Sequence, residues 1–480
     1  MPSNPQKRES AALSPWTTHA LTSLVMFAAF LDSSLLVIAF PSIRRSFASV
    51  STAELSWILN AYTIVFGALL VPSGRLADQF GRKKMFLWGV AIFTLASALC
   101  GIVPNAGALI AARALQAVGA AMVMPTSLAL VLAAFPVEMR AIAVTLWGAV
   151  GGLAAALGPS AGAFLIQSLG WKSAFYINLP IGLLAFALGT RLLSESRDPT
   201  ARVLPDFLGV VLLIAAVGLI TLGIVASEAW GWLDPHTIGF VVAGVILSII
   251  FVSRSLRVES PALDLTLFSD ANYRFANLAT FLFGVAFFAM FLGNVLFLTQ
   301  IWHYSTFKAG LAILPAPLTV IPVAVVSGRL VTRYGHRVLV IPGGILFGLA
   351  GISLLLRAGT TPTYFSVWLP SSLLVGLGVG LCLPVLSSAA VHGLAPSRFA
   401  VGSAVNQSIR ALGAVLGVAL AIALLGRDPR AADLPTFQRV FALFVCCGLL
   451  TSAASIGIRT GPPAKPQAVS EVEAVTVERT

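Results

Sequence analysis

Asp32 lies deep inside an apolar run, Leu21–Phe40, where no other carboxyl is found at that depth in any of the apolar runs. With the N-terminus on the cytoplasmic side, it sits about 14 residues into a helix, roughly 21 Å from that helix's inner end at 1.5 Å per residue. An ionisable group at such depth is costly in lipid and marks a transport or proton pathway. Burial favours the neutral acid and a nearby cation favours the carboxylate. That balance suits a carboxyl that loads and releases a proton. The alternative is a structural Asp hydrogen-bonded to neighbouring backbone. Arg113, about 10 Å from the outer end of its own run, matches the depth of Asp32, about 15 Å from the outer end of its run. The pair therefore suggests a charge couple that protonation breaks, unless Arg113 pins helix backbones instead.

Other polar residues inside apolar runs are few: Trp57, Tyr62, Gln116, Asn294, Gln300, Asn406, Gln407 and Arg410. An apolar cavity with sparse polar groups suits amphipathic, lipophilic compounds. Trp57 and Tyr62 can equally be interfacial anchors. Arg410 requires a partner, whether a backbone carbonyl, a carboxylate or an anionic substrate. With no second deep acid, dicationic substrates are disfavoured against neutral, monocationic or anionic ones.

Enzyme chemistry is poorly supported. The five His are scattered, no Ser-His-Asp or paired-carboxylate constellation occurs, and no G-x-x-x-x-G-K-[ST] loop is present to harness ATP. Cys100, Cys382, Cys446 and Cys447 lie in apolar runs without metal-ligand spacing. No cofactor and no metal are expected.

The elements that position these residues must be membrane helices. Of 480 residues, 58% are apolar and 10% charged, and mean hydropathy is +0.94. A soluble chain cannot bury so much apolar surface, so a polytopic membrane protein is expected. Fourteen spans are read, near 18–42, 54–73, 85–103, 106–133, 138–168, 172–193, 206–226, 237–255, 273–302, 308–332, 337–357, 363–392, 399–425 and 434–458. Their runs are too long for barrel strands. With both ends cytoplasmic, inside loops and tails carry 20 Lys and Arg against 8 outside, so the +12 charge is mainly a topology signal rather than a nucleic-acid surface. Asp206 opens span seven as a helix cap.

The chain also repeats. Gly74-Arg75-Leu76-Ala77-Asp78-Gln79-Phe80-Gly81-Arg82 returns as Gly328-Arg329-Leu330-Val331-Thr332-Arg333-Tyr334-Gly335-His336. Gly119…Pro125 likewise matches Gly378…Pro384. Parallel repeats belong to transporters that rock about a midplane site. The expected organisation is a tail at 1–17, a six-helix bundle at 18–193, a linker with two extra spans at 194–271, a second bundle at 272–458, and a polar, disordered tail at 459–480. Gly74 and Gly81 are read as loop glycines. Gly158 and Pro159 are read as a bend in span five.

These residues resemble the major facilitator superfamily, in particular its fourteen-span drug:proton antiporter branch. The resemblance rests on Gly74–Lys84, on Leu31-Asp32-Ser33-Ser34 with Ala39-Phe40-Pro41, and on Arg113-x-x-Gln116-x-x-Gly119. It is extended by Gly158-Pro159-x-x-Gly162, Trp171…Pro180, Pro261…Phe268 and Asn406…Arg410…Gly413…Gly417. Ser34, Val37, Ala117 and Ala163 depart from the branch's usual residues. The resemblance implies an all-α fold of two six-helix bundles plus two extra helices, with Asp32 and Arg113 beside a central cavity. It further implies that Asp78 and Arg82 lock the outward-facing state across the halves, that Gly158-Pro159 marks an exporter, and that export is by proton antiport from the inner membrane. Expected partners are a small lipophilic substrate, protons and lipid, and a monomer is expected. A transporter of one endogenous lipid, sugar or peptide, or a membrane scaffold, are the other classes the sequence leaves open.

Overall fold

A computed structural model of the chain describes residues 14–197, 204–394, 398–426 and 433–458. The polar tails at 1–13 and 459–480 lie outside the described residues. Every regular element described is helical. In chain order these are α1 (Pro15–Ser46), α2 (Thr52–Phe80), α3 (Arg82–Ile102), α4 (Ala106–Ala134), α5 (Val137–Leu169), α6 (Ser173–Tyr176), α7 (Asn178–Leu192), α8 (Phe207–Trp230), α9 (Pro235–Ser255), α10 (Ala271–Gln300), α11 (Thr306–Ile313), α12 (Pro315–Tyr334), α13 (His336–Arg357), α14 (Leu369–Val391), α15 (Phe399–Leu425) and α16 (Leu434–Ser455).

Thirteen spans among the described residues are long and apolar enough to cross a membrane. The 33-residue α5 exceeds the required length and brings the count to fourteen. Two spans are each made of two helices. The first breaks at Ile177 between α6 and α7, and the second at Leu314, where Pro315 starts α12. A Pro at the first helical position has no amide to lose, so it restarts a helix readily.

The helices run past the membrane-length cores expected from hydropathy. In particular, Gly74 is not in a loop, because α2 continues through it to Phe80. The chain turns only at Gly81, with φ +114°, and its repeat partner Gly335 turns with φ +82°. A Cβ is strongly disfavoured at such φ, so glycine is required at these two stops. Gly74 instead faces Pro125 of α4.

Small residues set the helix spacing inside the first bundle. At Gly119 of α4, an added Cβ would lie 2.4 Å from the Phe93 amide nitrogen of α3. Close backbone approach of this kind is the main adhesive between membrane helices. Gly119→Val should therefore push α3 from α4 and cost about 1–3 kcal/mol. A thermal-unfolding midpoint in detergent equal to that of the parent would contradict this.

The bundles meet along two seams. α2 lies on α15, where Ser408 Oγ donates to the Gly67 carbonyl at 2.6 Å and a Cβ on Gly67 would approach Ala411 Cβ at 2.9 Å. α5 lies on α11. The extra helices form a hairpin whose α8 packs on both α2 and α15, so it covers one seam from outside. Asp206 caps α8 through the Gly209 amide at 3.0 Å and takes Arg254 of α9 at 2.8 Å. The Arg254 guanidinium holds the Asp206 carboxyl below its ordinary value.

Candidate functional site

The Asp32 carboxylate and the Arg113 guanidinium meet at 2.6 Å, each side chain 1% exposed. Helices α1 and α4 deliver them at matched depth. Arg113 Nη1 donates to Asp32 Oδ2 and, at 2.5 Å, to Gln116 Oε1 one turn along α4. Its Nε donates to the Ile58 carbonyl of α2 at 3.3 Å. The guanidinium carbon stands 4.1 Å from the centre of the Tyr62 ring and 5.7 Å from that of Phe175. Such stacking suits a planar, weakly hydrated cation.

Three further side chains complete the cluster. Gln116 Nε2 donates to Asp32 Oδ1 at 3.0 Å and to Ser97 Oγ at 3.2 Å. Asn178 Nδ2 donates to the same Asp32 Oδ1 at 2.8 Å and to Ser97 Oγ at 3.0 Å. Ser97 Oγ donates to the Phe175 carbonyl at 2.9 Å. Arg113, Gln116 and Asn178 each present a donor to Asp32, and a carboxylate is the form that only accepts. Protonation would remove the counter-charge of Arg113, and a buried cation without its partner is strongly destabilised.

Tyr62 and Gln116, expected at the substrate cavity, are both in contact with the charge cluster. Ser97 and Asn178 are the residues that inspection of the sequence left without a role, although both are polar residues inside spans.

The remaining expected cavity residues are not gathered around one described cavity. Asn406 is buried between α15 and α10, where its Nδ2 donates to Asn277 Oδ1 and Thr280 Oγ1, both at 3.0 Å. It ties two helices of one bundle. Asn294 lines a small cavity inside the second bundle with Met290, Ile313, Trp368 and Ser371. Arg410 donates to Gln407 of its own helix, and no carboxylate pairs with it among the described residues. Trp57 is half-buried on α2, and Gln300 ends α10. At the α1–α5 end of the seam between the bundles, a crevice of about 320 Å³ is lined by Ser42, Arg45, Gln167, Thr299, Tyr304 and Thr306.

The inner rim carries the other motif. Asp78 pairs with Arg82 at 2.9 Å within the segment itself. The expectation of a bond from these two to the other bundle is therefore not met here. Two neighbours make the longer-range contacts. Arg75 Nη1 donates to Ser260 Oγ at 2.6 Å and to the Pro261 carbonyl at 2.7 Å. Glu195, from the end of the first bundle, accepts the Lys83 and Lys84 amides at 3.0 and 3.3 Å and so caps α3. A few residues past Pro261, Asp264 pairs with Arg398 before α15 at 2.9 Å. The segment 260–264 thus touches both bundles.

Gly158 sits where α5 crosses α1, and a Cβ there would lie 2.3 Å from Ser34 Cβ. The Pro159 side chain lies outside the described residues, so the expected bend is not described.

A helical membrane fold of two repeated bundles, with a buried ion pair between helices of one bundle, defines the class of a secondary transporter. The Major Facilitator Superfamily profile matches residues 22–418, and the chain belongs to that superfamily. Among curated relatives, the "Multidrug resistance protein Stp" of Mycobacterium tuberculosis is 34% identical over 83% of this chain and 74% of its own length. The "Puromycin resistance protein pur8" of Streptomyces alboniger is 36% identical over 81% and 78%. The "Tetracenomycin C resistance and export protein" of Streptomyces glaucescens is 30% identical over 85% and 75%. Among solved structures, an auto-inhibited POT family peptide transporter superposes with a TM-score of 0.68, covering 94% of this chain and 98% of its own at 16% identity. That likeness bears on the fold alone. The chain is a multi-pass membrane protein of a transporter family that handles small molecules.

Proposed function

We propose that this protein exports lipophilic drugs or secondary metabolites in exchange for protons, by alternating access. One observation carries the reading: Asp32 accepts hydrogen bonds from Arg113, Gln116 and Asn178 at a buried site where adding a proton would unbalance the pair with Arg113. The resistance and export names of relatives at 30–36% identity support the substrate class.

In the cycle, a proton entering from outside neutralises Asp32, releases Arg113 and favours the inward-facing arrangement. Compound then binds between the bundles, the proton leaves to the cytoplasm, and re-formation of the pair returns the transporter outward. No ATP, metal or organic cofactor takes part, and no covalent chemistry is performed on the substrate. The protein lies in the inner membrane with both termini cytoplasmic and works as a monomer.

The proposal is tested in cells loaded with a lipophilic fluorescent compound. Expression should lower accumulation, and a protonophore should restore it. Accumulation unchanged by either would remove the exporter reading.

Asp78 and Arg82 act in this scheme at the inner rim. Their pair is partly exposed and spans the Gly81 turn between α2 and α3, so it contributes only about 0.2–1 kcal/mol to stability. Asp78→Asn should therefore leave the unfolding midpoint within error while slowing efflux several-fold. Normal efflux in a correctly folded Asp78→Asn protein would deny it a gating part.

A further inference from the structure

We infer that Asn178 is a positioning residue whose side-chain amide turns over when Asp32 takes up its proton, offering a donor to the carboxylate and an acceptor to the acid. The inference rests on the proton-antiport reading and adds a moving part to it.

The starting observation is an orphan. Asn178 is fully buried, and its Nδ2 makes two hydrogen bonds, to Asp32 Oδ1 at 2.8 Å and Ser97 Oγ at 3.0 Å. Its Oδ1 is buried with no hydrogen-bond partner. An unsatisfied buried carbonyl is a standing cost that native structures seldom carry without reason. The orientation itself is dictated by charge, because an ionised carboxylate only accepts and the amide must show it the NH₂ end.

Protonation reverses the demand. A carboxyl O–H formed at Asp32 Oδ1 becomes a donor facing two donors. One of the two amides beside it has to turn. Gln116 is locked, because its Oε1 is held by Arg113 Nη1 at 2.5 Å and by Cys100 Sγ at 3.8 Å. Turning Gln116 would point its NH₂ at a guanidinium. Asn178 has nothing to lose on its Oδ1 side, so a half-turn of its amide brings that oxygen to the new O–H. The same turn gives Oδ1 a partner and costs the Nδ2 bond to Ser97 Oγ.

Asn178 also stands at a convenient place in the chain. It opens α7 just after the break at Ile177, with its backbone outside the middle of any continuous helix. The titratable groups that face Asp32 are Arg113 from α4, Tyr62 from α2 and Cys100 from α3. Among the described residues, the charges on α7, α10 and α11, which also pack against α1, are near the helix ends: Arg191 of α7, Arg274 of α10 and Lys308 of α11. Lys172 precedes α6 at the outer rim. None of these rim charges competes for the proton at Asp32 Oδ1.

The test is pH-induced infrared difference spectroscopy on the purified, full-length protein, with Asp32→Asn, Asn178→Ala and Asn178→Ser beside the parent. The expected parent spectrum contains a protonated carboxyl band that is absent in Asp32→Asn. It also contains a side-chain amide band that is absent in both Asn178 variants. A carboxyl band without any Asn178-dependent amide band would overturn the switch and leave proton coupling intact. Absence of any Asp32-dependent band would overturn both. In transport, Asn178→Ala should lower the maximal rate about tenfold, the worth of one buried hydrogen bond, with the pH midpoint unmoved. A fixed donor would behave differently: its loss weakens only the ionised form, so the midpoint would move to higher pH. That shift would also overturn the inference. Asn178→Ser carries no amide and adds no bulk, so it gives the same readings if Asn178→Ala fails to fold.

Discussion

Asp32→Asn is expected to reduce proton-driven efflux to background while the protein still reaches the membrane. The substitution is nearly isosteric, so helix packing around α1 is undisturbed. What disappears is the titratable group. The variant cannot take up a proton from outside or return one inside, so no gradient is coupled to movement. Some stability is lost as well, because Arg113 keeps Ile58, Gln116 and the Tyr62 face but loses its counter-charge. That loss should be about 3 kcal/mol, the low end for breaking a buried pair from one side, because Arg113 keeps its other partners. Membrane abundance and dye accumulation, measured together, check the result. Parent-level efflux at parent-level abundance would exclude Asp32 from coupling.

Arg113→Ala should have the larger structural effect. It strands an ionised carboxylate in a site from which the cation has been removed, and breaking a buried pair from one side costs about 3–5 kcal/mol. The acid would escape the penalty by staying protonated, which fixes the transporter in one half of its cycle. Efflux should vanish and the unfolding midpoint should fall. Two companions separate charge from packing. Asp32→Asn with Arg113→Ala removes both charges and should recover much of the stability without any transport. Arg113→Lys keeps the charge but loses the planar fork that serves Asp32, Gln116 and the Ile58 carbonyl at once. Its efflux should stay impaired despite near-normal folding. Full transport by Arg113→Lys would show that a point charge suffices.

The contrast between Asp32 and Asn178 explains how much of the site could be read in the residues. A charge inside an apolar run is expensive, so Asp32 and Arg113 stand out, and helical rise alone places them at matched depth. Asn178 and Ser97 are neutral, and a neutral polar group in a span is common and cheap. Their roles emerge only once α3, α6 and α7 are folded against α1. The partners of Asn406 were not legible, because composition does not say which face of a helix a polar side chain takes, and the structure turns it onto α10. Glycine tolerates a turn without requiring one, so Gly74 stays helical, and only the positive φ of Gly81 ends α2. The two bundles were legible from the repeated motif. The contacts of Arg75 with Ser260 and Pro261 were not, because they depend on how residues between α9 and α10 fold back.

The central claim is that a proton on Asp32 is exchanged for the exported compound. It is tested most directly in proteoliposomes with an acid interior, using puromycin and a lipophilic fluorescent cation as probes. The account predicts that a probe accumulates inside while the interior becomes more alkaline, and that Asp32→Asn abolishes both changes together. Accumulation without proton movement, or accumulation that persists in Asp32→Asn, would contradict it.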